Sequence, residues 1–236
     1  MATPAYKLTL LLTRHPDLGP EAFADAWLEL ERREPLVAPG LVRYVFDRRL
    51  SDVSPIAGAV RAPYDGVIEM WWTRKNDAAD WVVSREFEGY WLPTRGHLLA
   101  GRPAAVGGEP VLVWEREEAE DMTPVTIITL PVAKRSLRFQ EFAEHWTVRH
   151  AGLALQGPGV AERLVRIEST PAPVAPPARF SRTRYDGAGA ITFASAEALQ
   201  AEFTGDHYRE VIAPDEGRFT DTAFSAVFVG APVDLT

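Results

Sequence analysis

Phe142, Trp146 and His150 recur at four-residue intervals in the stretch FQEFAEHWTVRH. Each step of four leaves a residue only about 40° past a full α-helical turn, so the three share one stripe. A stripe with two large aromatics faces the interior. An imidazole there, with an ordinary pKa of ~6.5, serves as a general acid or base, or else as a core histidine bonded to backbone or a carboxylate. Asp215 and Glu216, directly after Pro214, offer a carboxylate to orient or polarise His150, or else surface charge with a loop cap. Counted from Trp27, Glu31 takes the place that His150 takes from Trp146. A carboxylate on an apolar face has a raised pKa unless it is paired, and Arg32, Arg33 and Arg95 are the partners within the sequence. It reads as a salt-bridged helix end or as a second acid/base. His97, between Gly96 and Leu98, is a further candidate of the same kind. His145 falls off the stripe and reads as solvent-facing. Two histidines five apart do not share an α-helical face as the pair of H-E-x-x-H does, so no zinc site is expected.

The chain holds 7 Trp in 236 residues. Trp71 and Trp72 are adjacent in a strand-like run, so they face opposite sides and one points into the interior. Trp27, Trp72, Trp91, Phe142, Trp146 and Tyr208 read as the walls of an apolar pocket suited to a flat aromatic or polyketide-like ligand. Plain core is the competing reading for Tyr208.

Composition removes several classes of chemistry. There is no cysteine, hence no disulfide, thiolate nucleophile or thiolate-held metal. The formal net charge of −8 argues against nucleic acid and against an anionic membrane surface. No apolar run reaches the ~20 residues of a membrane helix, and the start MATPAYKLTLLLTRH lacks the long apolar core of a secretory signal. A cytoplasmic protein is expected. G-x-G-x-x-G, the P-loop and G-x-S-x-G are absent, so neither a nucleotide cofactor nor serine hydrolase chemistry has support.

The elements that must position these residues are written twice. Tyr64-Asp65-Gly66 recurs as Tyr185-Asp186-Gly187, an offset of 185 − 64 = 121. At the same offset Phe87 meets Tyr208, Pro93 meets Pro214 and Gly96 meets Gly217. Phe23-x-x-x-Trp27 matches Phe142-x-x-x-Trp146 at 119, the difference a loop indel leaves. The chain thus divides into residues 1–116 and 123–236, joined by the acidic linker Glu115–Asp121.

Each half reads β-α-β-β-α-β. First strands are expected at Lys7–Thr13 and Val125–Leu130, and second strands at Leu41–Arg48 and Glu162–Ile167. Third strands fall at Gly66–Trp72 and Gly187–Phe193, and fourth strands at Pro110–Trp114 and Phe224–Val229. First helices start near Pro20 and Phe139, the second of them stopping at Gly152. Second helices are capped near Asn76 and Ser195. Thr170–Pro177 is a Pro-rich surface loop. This is the ferredoxin-like plan, and two such sheets face to face give an α+β barrel within one chain, a pseudo-dimer.

On these residues the sequence resembles a tandem EthD-domain protein of the dimeric α+β barrel superfamily. The second half carries F-x-x-x-W-x-x-x-H-A-x-L as Phe142, Trp146, His150, Ala151 and Leu153. It also has Tyr185-Asp186-Gly187 and ends with a D-E-x-x-F block at Asp215, Glu216 and Phe219. The first half keeps Phe23, Trp27, Leu36 and Tyr64-Asp65-Gly66, has Thr94-Arg95 for the D-E pair, and lacks the histidine. Spacing from Trp27 puts Glu31 in its place, whereas alignment on Pro35-Leu36 puts Arg33 there. The resemblance implies small-molecule chemistry of a catabolic or biosynthetic kind, often without cofactor, while other members of the superfamily bind haem.

The resulting expectation is a cofactor-independent lyase, cyclase or isomerase acting on a small hydrophobic metabolite by proton transfer. His150 is the acid/base and Asp215 or Glu216 its orienter. The alternatives are a non-catalytic carrier of an apolar molecule and a barrel holding haem through His150 or His97. The chain is expected to act as its own pseudo-dimer, alone or as a homodimer of such units.

Overall fold

The computed structural model describes residues 4–53, 58–116, 122–174 and 179–236. The first repeat runs β1 (Tyr6–Leu12), α1 (Pro20–Arg33), β2 (Leu41–Arg49), β3 (Gly66–Trp72), α2 (Lys75–Val82), then α3, a π-helical turn Phe87–Trp91 continued by Leu92–Arg95, and β4 (Ala104–Gly108). After β5 (Val111–Glu115), the second repeat runs β6 (Val125–Leu130), α4, the short α5 (Val160–Arg163), β7 (Leu164–Pro171), β8 (Gly187–Phe193), α6 (Ala196–Thr204), α7 and β9 (Ala226–Asp234). Helix α4 begins at Phe139–Glu144, widens to a π-helical turn at His145–His150 and closes at Ala151–Ala154. Helix α7 is a π-helical turn, Tyr208–Ile212, followed by Ala213–Phe219.

All strand pairs are antiparallel, in the order β4-β1-β3-β2-β9-β6-β8-β7-β5. Each repeat contributes the ferredoxin-like order. The long β9 pairs with β6 through Ala226–Gly230 and with β2 through Gly230–Asp234, which welds the repeats into one sheet. On the other side β4 pairs with β1, and β5, two residues further on, pairs with β7. The two edges of the sheet are therefore one piece of chain, and the sheet curls into a barrel. Gly108 lies so close to β7 that a Cβ there would sit 2.0 Å from the carbonyl oxygen of Pro171.

Several expectations are corrected. The fourth strand of the first repeat is β4, with Pro110 in the break before β5 rather than inside a strand, since proline cannot donate to a ladder. β7 starts at Leu164, after a helical turn that takes Glu162. Helix α4 runs past Gly152 to Ala154, and α2 begins at Lys75 with Arg74 at its cap, so Asn76 caps nothing. Ser195 does cap α6, its side chain accepting from Ala198 N. Most of the expected linker and part of the Pro-rich loop, residues 117–121 and 175–177, lie outside the described residues.

The alternation of each strand separates two environments. One face, including Leu8, Phe46 and Trp72 in the first repeat, packs against helices. The other lines the barrel interior, apolar at one end with Leu11, Val67, Ile128, Leu130 and Phe228. At the opposite end Lys7, fully buried, pairs with Glu69 and donates to Glu168 at 2.7 Å, and Trp71 Nε1 donates to Glu168 at 2.9 Å. Burial pushes the Glu168 carboxyl up, but Lys7 and Arg166 outweigh it and hold it at about 2. Trp71 thus faces the interior and Trp72 the helices. Among the described residues no helix is long and apolar enough to cross a membrane.

Candidate active site

The space between helices and sheet differs between the repeats. In the first it is filled. Trp27 stacks on Phe46 with ring centroids 6.0 Å apart, Trp72 meets Trp81 at 5.4 Å, Trp81 meets Trp91 at 5.4 Å, and Phe87 stacks on Trp91 at 5.6 Å. Glu31 and Arg95 are buried in this mass, Arg95 Nε donating to Glu31 Oε1 at 3.0 Å and Tyr44 OH donating to the same oxygen at 2.6 Å. This corrects two expectations. Trp27, Trp72 and Trp91 are packed core, not pocket walls, and Glu31 is an ion-pair partner without access to a ligand. His97 sits exposed on a 3₁₀ turn, away from any cleft described below.

In the second repeat the same space is open. By offset Trp81 becomes Glu202 and Trp91 becomes Ile212, and by strand register Phe46 becomes Ser169 and Tyr44 becomes Ile167. Smaller side chains leave an inner pocket of about 80 Å³, lined by apolar residues that include Leu164, Ile191, Phe193 and Phe203. It joins an outer chamber of about 450 Å³ beside the start of β9. Thr129, Trp146, His150, Tyr208 and Glu216 line both, so they stand at the junction. Trp146 reaches this position by lying on the sheet over two glycines. A Cβ at Gly187 would come within 2.5 Å of its ring, and one at Gly189 within 2.8 Å. Phe142 is buried behind Trp146 against Phe219 and lines neither cavity.

Helix α4 carries both of its histidines to Asp215 on α7. His150 Nδ1 lies 3.0 Å from Asp215 Oδ2, and His145 Nε2 lies 3.1 Å from Oδ1 and from Oδ2. His145 is therefore not solvent-facing, as the α-helical stripe implied. An α-helix sets residues five apart about 140° from each other. The i→i+5 turn at His145–His150 winds more loosely and brings them to one side. Phe219 packs under both rings, its centroid 4.9 Å from each. Spacing gave no sign of this, because nothing in HWTVRH marks a π turn. His207 is engaged elsewhere, with Nε2 2.9 Å from Leu153 O.

The electrostatics separate the roles. Burial raises the Asp215 carboxyl, but hydrogen bonds from His150 and His145 outweigh it and hold the group below its ordinary range. An ionised carboxylate only accepts, so Nδ1 of His150 carries the hydrogen and Nε2 keeps a free lone pair. Burial lowers the His150 pKa, and Asp215 offsets only part of that. Glu216 moves the other way: burial, with Asp215 beside it, raises its carboxyl to about 7 even though Tyr208 OH donates to it at 3.3 Å. Burial, then Glu216, raises the Tyr208 phenol well above its usual range, so the hydroxyl stays protonated. Among the described residues no group of three His, Cys, Asp or Glu side chains is placed to hold a metal ion.

A larger cavity, about 580 Å³, opens at the polar end of the barrel between Arg43, Glu69, Trp71, Glu115 and Arg166. Its charges pair with one another, as in Arg43–Asp234 and Arg166–Glu115, and it contains no histidine. The candidate acid/base groups His150 and Glu216 line the second repeat's cleft.

Fold and site together define a dimeric α+β barrel built within one chain. Residues 134–223, within the repeat that bears the histidines and the acidic pair, match the family model described as the EthD domain. No curated protein matches the sequence. Solved structures match over almost the whole chain. A provisionally named monooxygenase from Fusobacterium nucleatum subsp. nucleatum superposes with a TM-score of 0.63 at 8% identity, covering 100% of this chain and 94% of that one. An anthrone oxidase-like protein gives 0.63 at 14% identity, covering 98% and 91%. A chlorite dismutase variant from Candidatus Nitrospira defluvii gives 0.53 at 12%, covering 97% and 93%. At such identities the likeness establishes the fold.

Proposed function

We propose that the protein is an enzyme acting by proton transfer, without a cofactor, on a hydrophobic aromatic or polyketide-like carbonyl compound. The observation that carries this reading is His150, tied through Nδ1 to an ionised Asp215, with Nε2 free in a cleft it shares with Glu216. Neutral His150 takes a proton from an activated C–H next to a carbonyl. The C–H electron pair becomes the new C=C bond, and protonated Glu216 gives its proton to the carbonyl oxygen. Asp215 stabilises the imidazolium that forms, as the third group of a triad orients and stabilises its base. Tyr208 holds Glu216, and Trp146 supplies a flat wall. The names of two neighbours, a monooxygenase and an anthrone oxidase-like protein, support small-molecule oxidative metabolism as the setting.

The test is solvent exchange. Anthrone, a tricyclic ketone with an acidic methylene, is incubated with protein in D₂O and its deuterium uptake followed by mass spectrometry. The wild type is expected to accelerate uptake, and His150→Ala to lose about 10²–10⁴-fold of the acceleration. Equal rates for wild type and variant remove His150 as the base. Binding without any accelerated exchange leaves the carrier reading in its place.

A further inference from the structure

The connection between the second and third strands of each repeat crosses onto the other repeat. In the first, Arg61 bridges Val227 at the start of β9: Ala62 N donates to Val227 O at 2.8 Å and Val227 N to Val60 O at 2.8 Å. In the second, Ser181 bridges Ala104 at the start of β4, and Ser181 N donates to Pro103 O at 2.9 Å. Each repeat thus supplies a wall to the cleft of the other.

What the two walls carry differs. Five residues before the Tyr-Asp-Gly motif stands Ala59 in one repeat and Phe180 in the other. Phe180 is buried in the first repeat's core, its ring edge-on to Phe87 with centroids 5.6 Å apart. Phe87 is the counterpart of Tyr208. Phe180 therefore stoppers the first cleft. At the second cleft Gly58, Ala59 and Val60 line the same outer chamber as Tyr208, and the position of Phe180 is held by Ala59, which carries no ring.

We infer that Ala59 is a specificity-determining residue, through which the first repeat sets the size of ligand that the second repeat's site admits. The ligand class follows from the two volumes. The inner pocket of about 80 Å³ is smaller than a ~150 Å³ cavity that takes benzene, so it accepts a short chain or the edge of one ring. The outer chamber of about 450 Å³ falls within the ~300–1,000 Å³ of ordinary ligand pockets and holds a multi-ring body. His150 and Glu216 then meet the ligand where chain and body join. The inference rests on the aromatic-ligand reading above and adds the residue that sets its size.

The experiment measures binding of 1,8-dihydroxyanthraquinone by isothermal titration to wild type, Ala59→Phe, Ala59→Leu and Arg61→Phe. Arg61 is exposed on the same segment and controls for added bulk. The expected result is at least a tenfold loss of affinity in Ala59→Phe, a smaller loss in Ala59→Leu and none in Arg61→Phe. If Ala59→Phe melts early, Ala59→Leu decides. A wild type that binds, with both folded Ala59 variants binding equally well, overturns the role of residue 59 and leaves the site reading standing. A wild type that does not bind removes the aromatic-ligand reading and the inference with it.

Discussion

Arg95 Nε lies 3.0 Å from Glu31 Oε1 in the first repeat, on the positions of Glu216 and His150 in the second, where His150 instead pairs with Asp215, the counterpart of Thr94, also at 3.0 Å. One position of the duplicated plan carries a structural ion pair and the other a dyad facing a cavity. The difference extends to the surroundings. The Glu31–Arg95 pair is sealed under Trp27 and Trp91, the guanidinium 4.6 Å from the Trp91 ring. The His150–Asp215 pair has open volume beside it.

Breaking the first pair is expected to act on stability and not on chemistry. Glu31→Gln or Arg95→Met leaves one charge buried without its partner, a loss of about 3–5 kcal/mol. Glu31→Leu with Arg95→Met removes both charges and is expected to recover most of that. Urea unfolding measures the loss, and anthrone exchange per folded molecule is expected to match wild type in all three variants.

In the proposed reaction Asp215 is a positioning residue, and its role is expected to show in the pH profile. Asp215→Asn keeps an acceptor for Nδ1 but removes the negative charge that offsets desolvation of the imidazolium. The exchange rate at saturating anthrone is expected to fall about 100-fold. The acid limb, set by protonation of His150, is expected to move to lower pH because the carboxylate that raised this pKa is gone. A merely structural aspartate would lower the amount of folded protein and leave the limb in place.

Glu216 gives a pH dependence of a defined sign. Its folded pKa, about 7, lies above the ordinary value of 4.5. A raised pKa contributes stability that is full below the unfolded value and is lost as pH rises through the folded one. Glu216→Gln keeps an acceptor for Tyr208 and cannot ionise. It is expected to melt higher than wild type at pH 8 and level with it at pH 4.5, by differential scanning calorimetry. For activity the same group is expected to set the alkaline limb, since a proton donor of pKa about 7 is spent above that pH, and Glu216→Gln is expected to slow exchange below pH 7 and to converge with wild type well above it.

Much of this protein was legible as sequence. Val125–Leu130, Gly66–Trp72 and Gly187–Phe193 read to the residue because their composition and the Tyr-Asp-Gly turns are local signals. The repeat predicted two ferredoxin-like units, and the F-x-x-x-W-x-x-x-H stripe pointed to His150. β4 was not legible: its run AAVGG has little strand preference of its own and is a strand because β1 pairs with it.

Tertiary structure decided which half holds the site. The count of tryptophans fixes how much aromatic surface must be buried but not whether it fills a cleft or lines one. Trp27, Trp81 and Trp91 fill theirs because they pack on one another, whereas Trp146 stands beside Ile212 and Glu202 where two further tryptophans would have closed the gap. His145 joined the site because a π turn changed the angular period that sequence reasoning takes as constant. Ala59 joined it because strand order carries the first repeat across to the second. Periodicity and composition are set by neighbours along the chain. Cavity shape is set by residues far apart in the chain, Trp146 against Gly189 and His150 against Asp215, and residue 59's place in it by the strand that begins at Ala226.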